Sequence, residues 1–210
     1  MKAKTLFACQ KCGYQSAKWL GKCPDCDSWN SLVEEIQFKA PPLSGDSGSN
    51  SSPVSFAEIS GETEMRLPCG IAEFDRVLGG GLVAGSLVLI GGNPGIGKST
   101  LLLQAMDLLG KGAGNVLYVS GEESAQQIRL RGTRMGVDAR SLFILAETSL
   151  EKIIAHIHRL KPEVVVVDSI QTVFTSALES APGSVSQVRE SAGRLMMLAK
   201  QSGIPILLVG

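Results

Sequence analysis

The sequence predicts an α/β fold in which helices cover a mostly parallel central sheet, preceded by a small module that contains four cysteines. From about Val54 onward, apolar runs alternate with helical segments, which is the pattern of parallel strands joined by crossover helices. The run Val164-Val165-Val166-Val167 is apolar at every position, as expected for a strand that is buried on both faces. Four of the five cysteines lie within the first 26 residues.

Five strands and four helices are expected in the larger part of the chain. The predicted strands are Leu87–Gly91, Val116–Ser120, Leu142–Leu145, Val164–Asp168 and Ile204–Val209. The predicted helices are Ser99–Leu109, Ser124–Met135, Leu150–Leu160 and Val185–Gln201.

Composition divides the chain into three regions: a cysteine module over residues 1–38, a flexible linker over 39–55 and a larger α/β domain over 56–210. Within 41–53, ten of the thirteen residues are Pro, Ser or Gly, a composition that does not form a core. The chain stops directly after the apolar run 206–209. Because a mature domain seldom ends at the edge of its own core, we expect the sequence to be truncated there.

Charge and hydropathy limit the classes of function. The 20 Lys and Arg residues balance the 20 Asp and Glu residues, so net charge gives no general attraction to nucleic acid. No apolar run approaches the roughly 18 residues of a membrane span, and residues 1–7 turn polar too early for a secretory signal. We therefore expect a cytoplasmic protein with no membrane partner, whose clustered cysteines bind metal rather than form disulfides.

The cysteines form two pairs, Cys9-x-x-Cys12 and Cys23-x-x-Cys26, separated by ten residues. Four thiolates at this spacing predict one tetrahedral Zn²⁺, and since no coordination position stays open the metal is structural. An iron–sulfur cluster and a redox dithiol pair are the alternatives. The first lacks the usual cluster spacing, and the second does not explain two matched pairs.

Aromatic and basic residues lie among the cysteines, including Lys18, Trp19, Lys22 and Trp29. Such residues are able to stack on bases and contact phosphates. We favour the simpler interpretation that the two tryptophans form the small core that a zinc module needs. Contact with a protein partner, or with another part of the same chain, is equally open.

The strongest motif is Gly92-Asn93-Pro94-Gly95-Ile96-Gly97-Lys98-Ser99, which fits the phosphate-binding pattern G-x-x-x-x-G-K-[ST]. A predicted strand precedes it and a helix-prone run that starts at Thr100 follows it, as the motif requires. In this interpretation backbone amides surround the phosphates of ATP, Lys98 contacts the β- and γ-phosphates, and the Ser99 hydroxyl binds Mg²⁺. Thr100 completes the predicted nucleotide site. The alternative is a glycine-rich turn that matches by chance.

Asp168 is predicted to complete the magnesium site. It ends the apolar strand 164–168, and the carboxyl ends of parallel strands form the ligand-binding edge of an α/β sheet. There its carboxylate orients Mg²⁺ through the water shell, opposite Ser99. A strand that ends in Asp is common by itself, so the prediction depends on the phosphate loop upstream.

Glu122 is the first candidate for the base that activates water, and Glu123 is the second. Both follow the predicted strand 116–120 at the same sheet edge. The alternative makes them first-turn residues that complement a helix dipole.

Gln171 is a candidate sensor of the γ-phosphate or an ordinary polar residue after a strand. We expect Cys69 to be a small buried side chain and the arginines of helix 124–135 to lie on a solvated face.

Three further stretches carry a family resemblance: residues 70–82, residues 118–124 and residues 167–172. Together with the four-cysteine module, they resemble the RadA (Sms) family of bacterial DNA repair ATPases, whose core is RecA-like. The resemblance covers essentially all of the chain outside the linker. It implies a RecA-like P-loop NTPase core preceded by a four-cysteine zinc finger.

The resemblance implies a DNA-dependent, helicase-like ATPase that processes recombination intermediates and promotes branch migration with RecA. It also implies single-stranded and branched DNA as partners and a homohexameric ring. By similarity, residues 92–99 form the ATP-binding loop, Lys98 and Glu122 are catalytic, and Cys9, Cys12, Cys23 and Cys26 bind zinc. The family continues with a Lys-Asn-Arg-Phe-Gly motif and a Lon-like domain, neither of which occurs in these 210 residues.

Two other functions stay open at this point. One is a clock-type or signalling ATPase with the same core, whose output is a protein conformation. The other is a zinc-dependent interaction module attached to an inactive nucleotide-binding domain. A DNA motor should hydrolyse ATP faster when DNA is added, whereas a signalling ATPase should not respond. An enzyme should lose activity when Lys98 or Glu122 is replaced, and activity indifferent to both changes would remove the enzyme interpretation.

Overall fold

The computed structural model describes residues 4–37, 53–58 and 65–210. Most of the predicted linker, and the predicted boundary at residue 38, lie outside these residues. The three-part division of the chain therefore stays a prediction.

A small antiparallel sheet forms the N-terminal part of the chain. Its strands are β1 (Lys4–Cys9), β2 (Gln15–Ser16) and β3 (Leu32–Gln37). The strand order is β2-β1-β3, so β1 pairs with both neighbours. Phe7 is paired with Ser16 on one side and with Glu34 on the other. Cys9 ends β1, and the other three clustered cysteines lie in the connections between the strands.

Five parallel strands form the central sheet, which confirms the predicted α/β class. They are β6 (Leu87–Ile90), β7 (Val116–Ser120), β8 (Leu142–Ala146), β9 (Val164–Asp168) and β10 (Ile206–Val209). The order is β6-β10-β9-β7-β8. The chain therefore passes from β6 over two strand positions to β7. The neighbouring strands β7 and β9 send their connections in opposite directions, to β8 and to β10. Ligands bind at the carboxyl ends of the strands beside such a reversal.

The described residues also form two short strands, five α-helices and two 3-10 turns, at Phe56–Glu58 and Ile170–Thr172. The strands β4 (Arg66–Leu67) and β5 (Leu82–Val83) pair as an antiparallel ribbon. The helices are α1 (Ala72–Val77), α2 (Lys98–Gly112), α3 (Ala125–Arg134), α4 (Leu150–Leu160) and α5 (Val185–Ser202). None of these helices combines the length and the apolar character needed to cross a membrane.

All the predicted helices and strands are present, and several of them begin or end one to three residues away from the predicted position. β7, β9 and α4 have the predicted limits. β10 starts at Ile206 rather than Ile204, because Pro205 has no N–H to donate to a neighbouring strand. Ser124 is the N-cap of α3 rather than its first residue, since it forms a reciprocal capping box with Gln127.

The three inner strands of the central sheet, β7, β9 and β10, are buried on both faces, as their continuous apolar runs predict, whereas the edge strands β6 and β8 are partly exposed. On one face, Val164 and Val166 pack in a cluster with Leu102 and Met106 of α2. On the other face, alternate strand residues pack against apolar residues of α4 and α5. Full burial of each such side chain stabilises the fold by about 1.5–3 kcal/mol. Helix α2 packs on only one of the two faces.

Asp107 is a buried carboxylate that fixes the loop between α3 and β8 to helix α2. Its Oδ1 accepts hydrogen bonds from the amides of Asp138 and Ala139 at 2.9 and 2.8 Å. Its Oδ2 lies 2.7 Å from Nζ of Lys111. Burial raises the pKa of Asp107, but Lys111 and the two amides outweigh burial and hold the pKa below its usual range.

We expect Asp107→Asn to lower the free energy of unfolding at pH 7 by about 1–3 kcal/mol, because hydrogen bonds to a charged group are lost. A carboxyl whose pKa is lower in the folded state stabilises the protein above its unfolded pKa. That contribution disappears as the pH falls through the folded pKa. Urea denaturation from pH 7 down to pH 3 should therefore show the wild type and the variant converging in acid. Asp138→Asn, which alters an exposed partner of Lys111, is the control and should change stability little; a constant difference at every pH would contradict the prediction.

Candidate functional site

The glycine-rich loop connects β6 to α2 at the carboxyl edge of the sheet. Gly95 and Gly97 have φ angles of 79° and 101°, in the left-handed region that glycine adopts without strain. A Cβ at either position would meet no other atom within 4 Å. The backbone conformation, and not lack of space, is therefore the reason for glycine here. The open space on the inner side of the loop is what a phosphate would need.

Lys98 is the first residue of α2, and its ammonium group lies over the loop. Its Nζ donates hydrogen bonds to the carbonyl oxygens of Gly92 at 2.6 Å and Asn93 at 3.2 Å. Ser99 and Thr100 follow in the first turn of α2 and are half-buried. The positive end of the helix dipole and the ammonium group thus meet at one point, which favours an anion there.

Asp168 ends β9 directly opposite Ser120, the last residue of β7. The side chains of a strand alternate between its faces, so Asp168 shares the α2 face of the sheet with Val166. A cleft of about 520 Å³ lies between this carboxylate and the phosphate loop, within the usual size range of small-molecule sites. The residues that line it are Gly92, Pro94, Gly95, Lys98, Ser99, Glu122, Asp168, Ser169, Gln171, Val209 and Gly210.

The two glutamates after β7 have different surroundings. Glu122 lines the cleft, where the Ser169 hydroxyl donates a hydrogen bond to its Oε1 at 2.9 Å. Glu123 turns away to α3, and its Oε2 lies 2.8 Å from a guanidinium nitrogen of Arg131. Of the two candidates, Glu122 is the carboxylate placed to act on a molecule in the cleft.

Gly121 allows this turn to approach the segment after β9. Its amide donates to the carbonyl oxygen of Asp168 at 3.0 Å, which continues the pairing of β7 with β9. A Cβ on Gly121 would overlap the hydroxyl of Thr172. The close contact between the two segments brings Glu122 beside Ser169.

Tyr118 and Ser169 contact the predicted site residues, although sequence reasoning did not single them out. The Tyr118 hydroxyl donates a hydrogen bond to Oδ2 of Asp168. Burial and the neighbouring Asp168 carboxylate raise the pKa of Tyr118, although Arg131 opposes them, so the hydroxyl keeps its proton. A polar side chain within an otherwise apolar buried strand was the available signal.

The four paired cysteines converge at the end of the small N-terminal sheet. Their Sγ atoms all lie within 4.8 Å of one another. The distances are 3.6 Å from Cys9 to Cys26 and 3.5 Å from Cys12 to Cys23. A tetrahedron with Zn–S bonds of about 2.3 Å places its sulfur atoms about 3.8 Å apart, so the cluster fits a zinc ion.

The two cysteine turns have the same backbone form. The amide of Gly13 donates to the carbonyl of Cys9, and the amide of Asp27 donates in the same way to that of Cys23. Gly13 and Asp27 both have positive φ, at 76° and 58°. Burial raises the pKa of Cys9, but hydrogen bonds with Ser31 and with backbone amides lower it to about 6. Each turn presents its cysteine pair to the same point in space.

The interpretation that both tryptophans form the core of this module is wrong. Trp19 is 55% exposed and Trp29 is 72% exposed. The buried cluster is built from Cys9, Cys23 and Leu32, with Phe7 packed against it. The sulfur atoms themselves supply much of the core, which leaves the tryptophans at the surface.

Cys69 is buried, as expected from its isolation in the sequence. Burial, and then the nearby Asp75 carboxylate, raise its pKa to about 12. The thiol therefore stays protonated and is a poor nucleophile.

The expectation for the arginines of α3 needs one correction, because Arg131 is largely buried and paired with Glu123.

Curated proteins resemble the chain over its whole length. Proteins named "DNA repair protein RadA" are 53% identical over 216 residues in Bacillus subtilis, 50% over 213 residues in Halalkalibacterium halodurans and 50% over 212 residues in Pseudomonas aeruginosa. Each alignment covers 100% of this chain but 47% of the relative. The chain therefore spans about half the length of these relatives.

Two family profiles match separate parts of the chain. A profile described as a rubredoxin metal binding domain matches residues 7–34, which contain the four-cysteine cluster. A profile described as an AAA domain matches residues 57–210, which contain the central sheet and the cleft. These matches and the sheet topology confirm the RecA-like α/β fold with a zinc ribbon before it. Since the second match covers more than half of the sequence, the chain belongs to the AAA domain family.

Proposed function

We propose that the cleft binds ATP with Mg²⁺ and hydrolyses the γ-phosphate. Lys98 binds the β- and γ-phosphates, Ser99 and Asp168 hold the magnesium ion and its water shell, and residues 92–100 surround the phosphates. Glu122 accepts the proton of the attacking water. When bound, magnesium neutralises charge on the phosphates.

The convergence of these side chains carries the proposal. Lys98, Glu122 and Asp168 come from three separate segments of the sequence, yet they line one cleft. A cation at a helix N-terminus and two carboxylates that line the same cleft are the parts that phosphoryl transfer needs. Cys9, Cys12, Cys23 and Cys26 would hold one structural zinc ion in the separate N-terminal sheet.

We further propose that ATP turnover serves DNA repair in the cytoplasm. The support is the printed name of the relatives, which are about 50% identical over the whole chain. In this proposal the complete protein is a DNA-dependent, helicase-like motor that acts on single-stranded and branched DNA as a homohexamer. It would process recombination intermediates and promote branch migration with RecA.

Replacing each glutamate separately tests the catalytic assignment. We expect Glu122→Gln to lower the ATP hydrolysis rate by about 10²–10⁴-fold, because the general base is lost. Nucleotide affinity, measured by calorimetry, should change little, since Gln keeps the size of the side chain. Glu123→Gln, one residue further along, should lower the rate by less than about threefold.

Two outcomes would contradict the proposal. Equal loss of hydrolysis in both glutamate variants would show that Glu122 has no special role. Hydrolysis that is unaffected by Glu122→Gln would remove the enzyme assignment for this site.

Assays with and without single-stranded DNA test the repair proposal separately, because a signalling ATPase would show no stimulation by DNA.

A further inference from the structure

The Tyr118 hydroxyl is a buried polar group that the proposed chemistry does not use. It lies in the inner strand β7, and Tyr118 is 0% exposed. Its side chain packs among apolar residues, including Met106 of α2 and Val166 of β9. A phenylalanine would supply the same packing area, so the core by itself gives no reason for the hydroxyl. A hydroxyl taken out of water must find a partner, and here the partner is Asp168.

The strand register explains why a tyrosine at this position reaches Asp168. Tyr118 pairs with Val166, and Asp168 lies two residues further along β9 on the same face of the sheet. Ser120 is directly opposite Asp168, but its hydroxyl instead accepts a hydrogen bond from the amide of Glu123 at 3.0 Å. Diagonal neighbours on a sheet are within reach of long aromatic side chains. The Tyr118 side chain extends along the α2 face toward the carboxyl ends of the strands, where its hydroxyl contacts the Asp168 carboxylate.

We propose that Tyr118 is a positioning residue for the magnesium site. Its hydroxyl holds Oδ2 of Asp168 and thereby leaves the other carboxylate oxygen for the water shell of the ion. This inference rests on the proposed binding of ATP with Mg²⁺ at the cleft. Tyr118 itself is buried beneath Asp168 and does not line the cleft.

A second feature keeps the hydrogen bond directional. Asp168 stands at the end of its strand and is partly exposed, so without a partner its carboxylate would rotate among several orientations. The aromatic ring of Tyr118 is fixed by packing on all sides, which gives its hydroxyl one position. The rigidly held Tyr118 hydroxyl therefore fixes the orientation of the partly exposed Asp168 carboxylate.

Calorimetry with ATPγS, a slowly hydrolysed ATP analogue, separates this role from general support of the fold. The Kd is measured in EDTA and over a Mg²⁺ titration for the wild type, Tyr118→Phe and Tyr14→Phe. For Tyr118→Phe we expect the Mg²⁺ concentration that gives half-maximal tightening to rise about tenfold, as for a lost hydrogen bond to a charged group. Affinity in EDTA should stay within about twofold. Tyr14→Phe removes the other tyrosine hydroxyl of the chain, outside the cleft, and should match the wild type in both conditions.

A double-mutant cycle provides the second measurement. If the hydroxyl acts through Asp168, Tyr118→Phe should change the Mg²⁺ dependence no further in an Asp168→Ala background, where the hydroxyl has lost its acceptor. A wild-type Mg²⁺ titration in Tyr118→Phe would overturn the positioning role. Equal weakening in EDTA and Mg²⁺ would also overturn it, since that is the result of a structural defect. Absence of any ATPγS binding by the wild type would instead reject the proposed nucleotide site.

Discussion

Removal of the metal ion is expected to unfold the N-terminal three-stranded sheet while the parallel sheet stays folded. The small sheet has a buried cluster of only a few residues besides its cysteines, which is too little apolar surface to offset the entropy of ordering the chain. Zinc binding to four thiolates contributes about 10–16 kcal/mol, so the fold of this module depends on it. Among the described residues, the apolar clusters of the parallel sheet include none from the module.

Metal analysis by mass spectrometry should find one zinc per chain, and Cys12→Ser should abolish it. Both tryptophans of the chain, Trp19 and Trp29, lie in the module, so the anisotropy of tryptophan fluorescence reports on its folding directly. The anisotropy should fall after chelation, whereas helical circular dichroism should persist. Cys69→Ala removes the fifth cysteine and should leave the zinc content unchanged. Iron in place of zinc, or full zinc content in Cys12→Ser, would reject the assignment.

Lys98→Ala is expected to weaken ATP binding by about 100-fold or more. Each charge-assisted hydrogen bond contributes about 1.5–3 kcal/mol, and the ammonium group is proposed to contact two phosphates. The helix dipole and the loop amides remain in the variant, so weak binding should persist. Calorimetry with ATP and Mg²⁺ measures the change.

Two variants control for the loss of positive charge. Lys200→Ala removes an exposed lysine in the last turn of α5 and should bind ATP as the wild type does. Lys98→Arg keeps the charge but changes the geometry of the donors, and we expect it to recover little of the lost affinity. Undiminished binding in Lys98→Ala would mean that nucleotide, if it binds, does so elsewhere.

Long elements with a clear period were predictable from the sequence, and short ones were not. Helix α4 and strands β7 and β9 have the predicted bounds, because each carries an uninterrupted apolar pattern. The ribbon of β4 and β5 has two residues on each strand, too few to show any period. The strands of the N-terminal sheet escaped prediction because their residues show no sustained hydrophobic period; in the proposed zinc module, the four cysteines and their metal would determine the arrangement.

Part of the candidate site was also predictable from local sequence, and part of it was not. Residues 92–99 were recognisable because the phosphate loop is a local motif, whose glycines are required by backbone angles within the loop itself. The choice between Glu122 and Glu123 was open, since both follow the same strand at the same edge. The contacts with Ser169 and Arg131 separate them, and those partners come from the segment after β9 and from α3.

The sequence by itself determined the fold class, the two cysteine pairs and the loop that contains Lys98, because each depends on residues close together in the chain. Only the tertiary structure decided the strand order, the exposure of Trp19 and Trp29, and the hydrogen bond from Tyr118 to Asp168. These features depend on which strands become neighbours and on which side chains then share a face. Pairing of β7 with β9 joins residues about fifty positions apart, and a local pattern of residues carries no record of that partner.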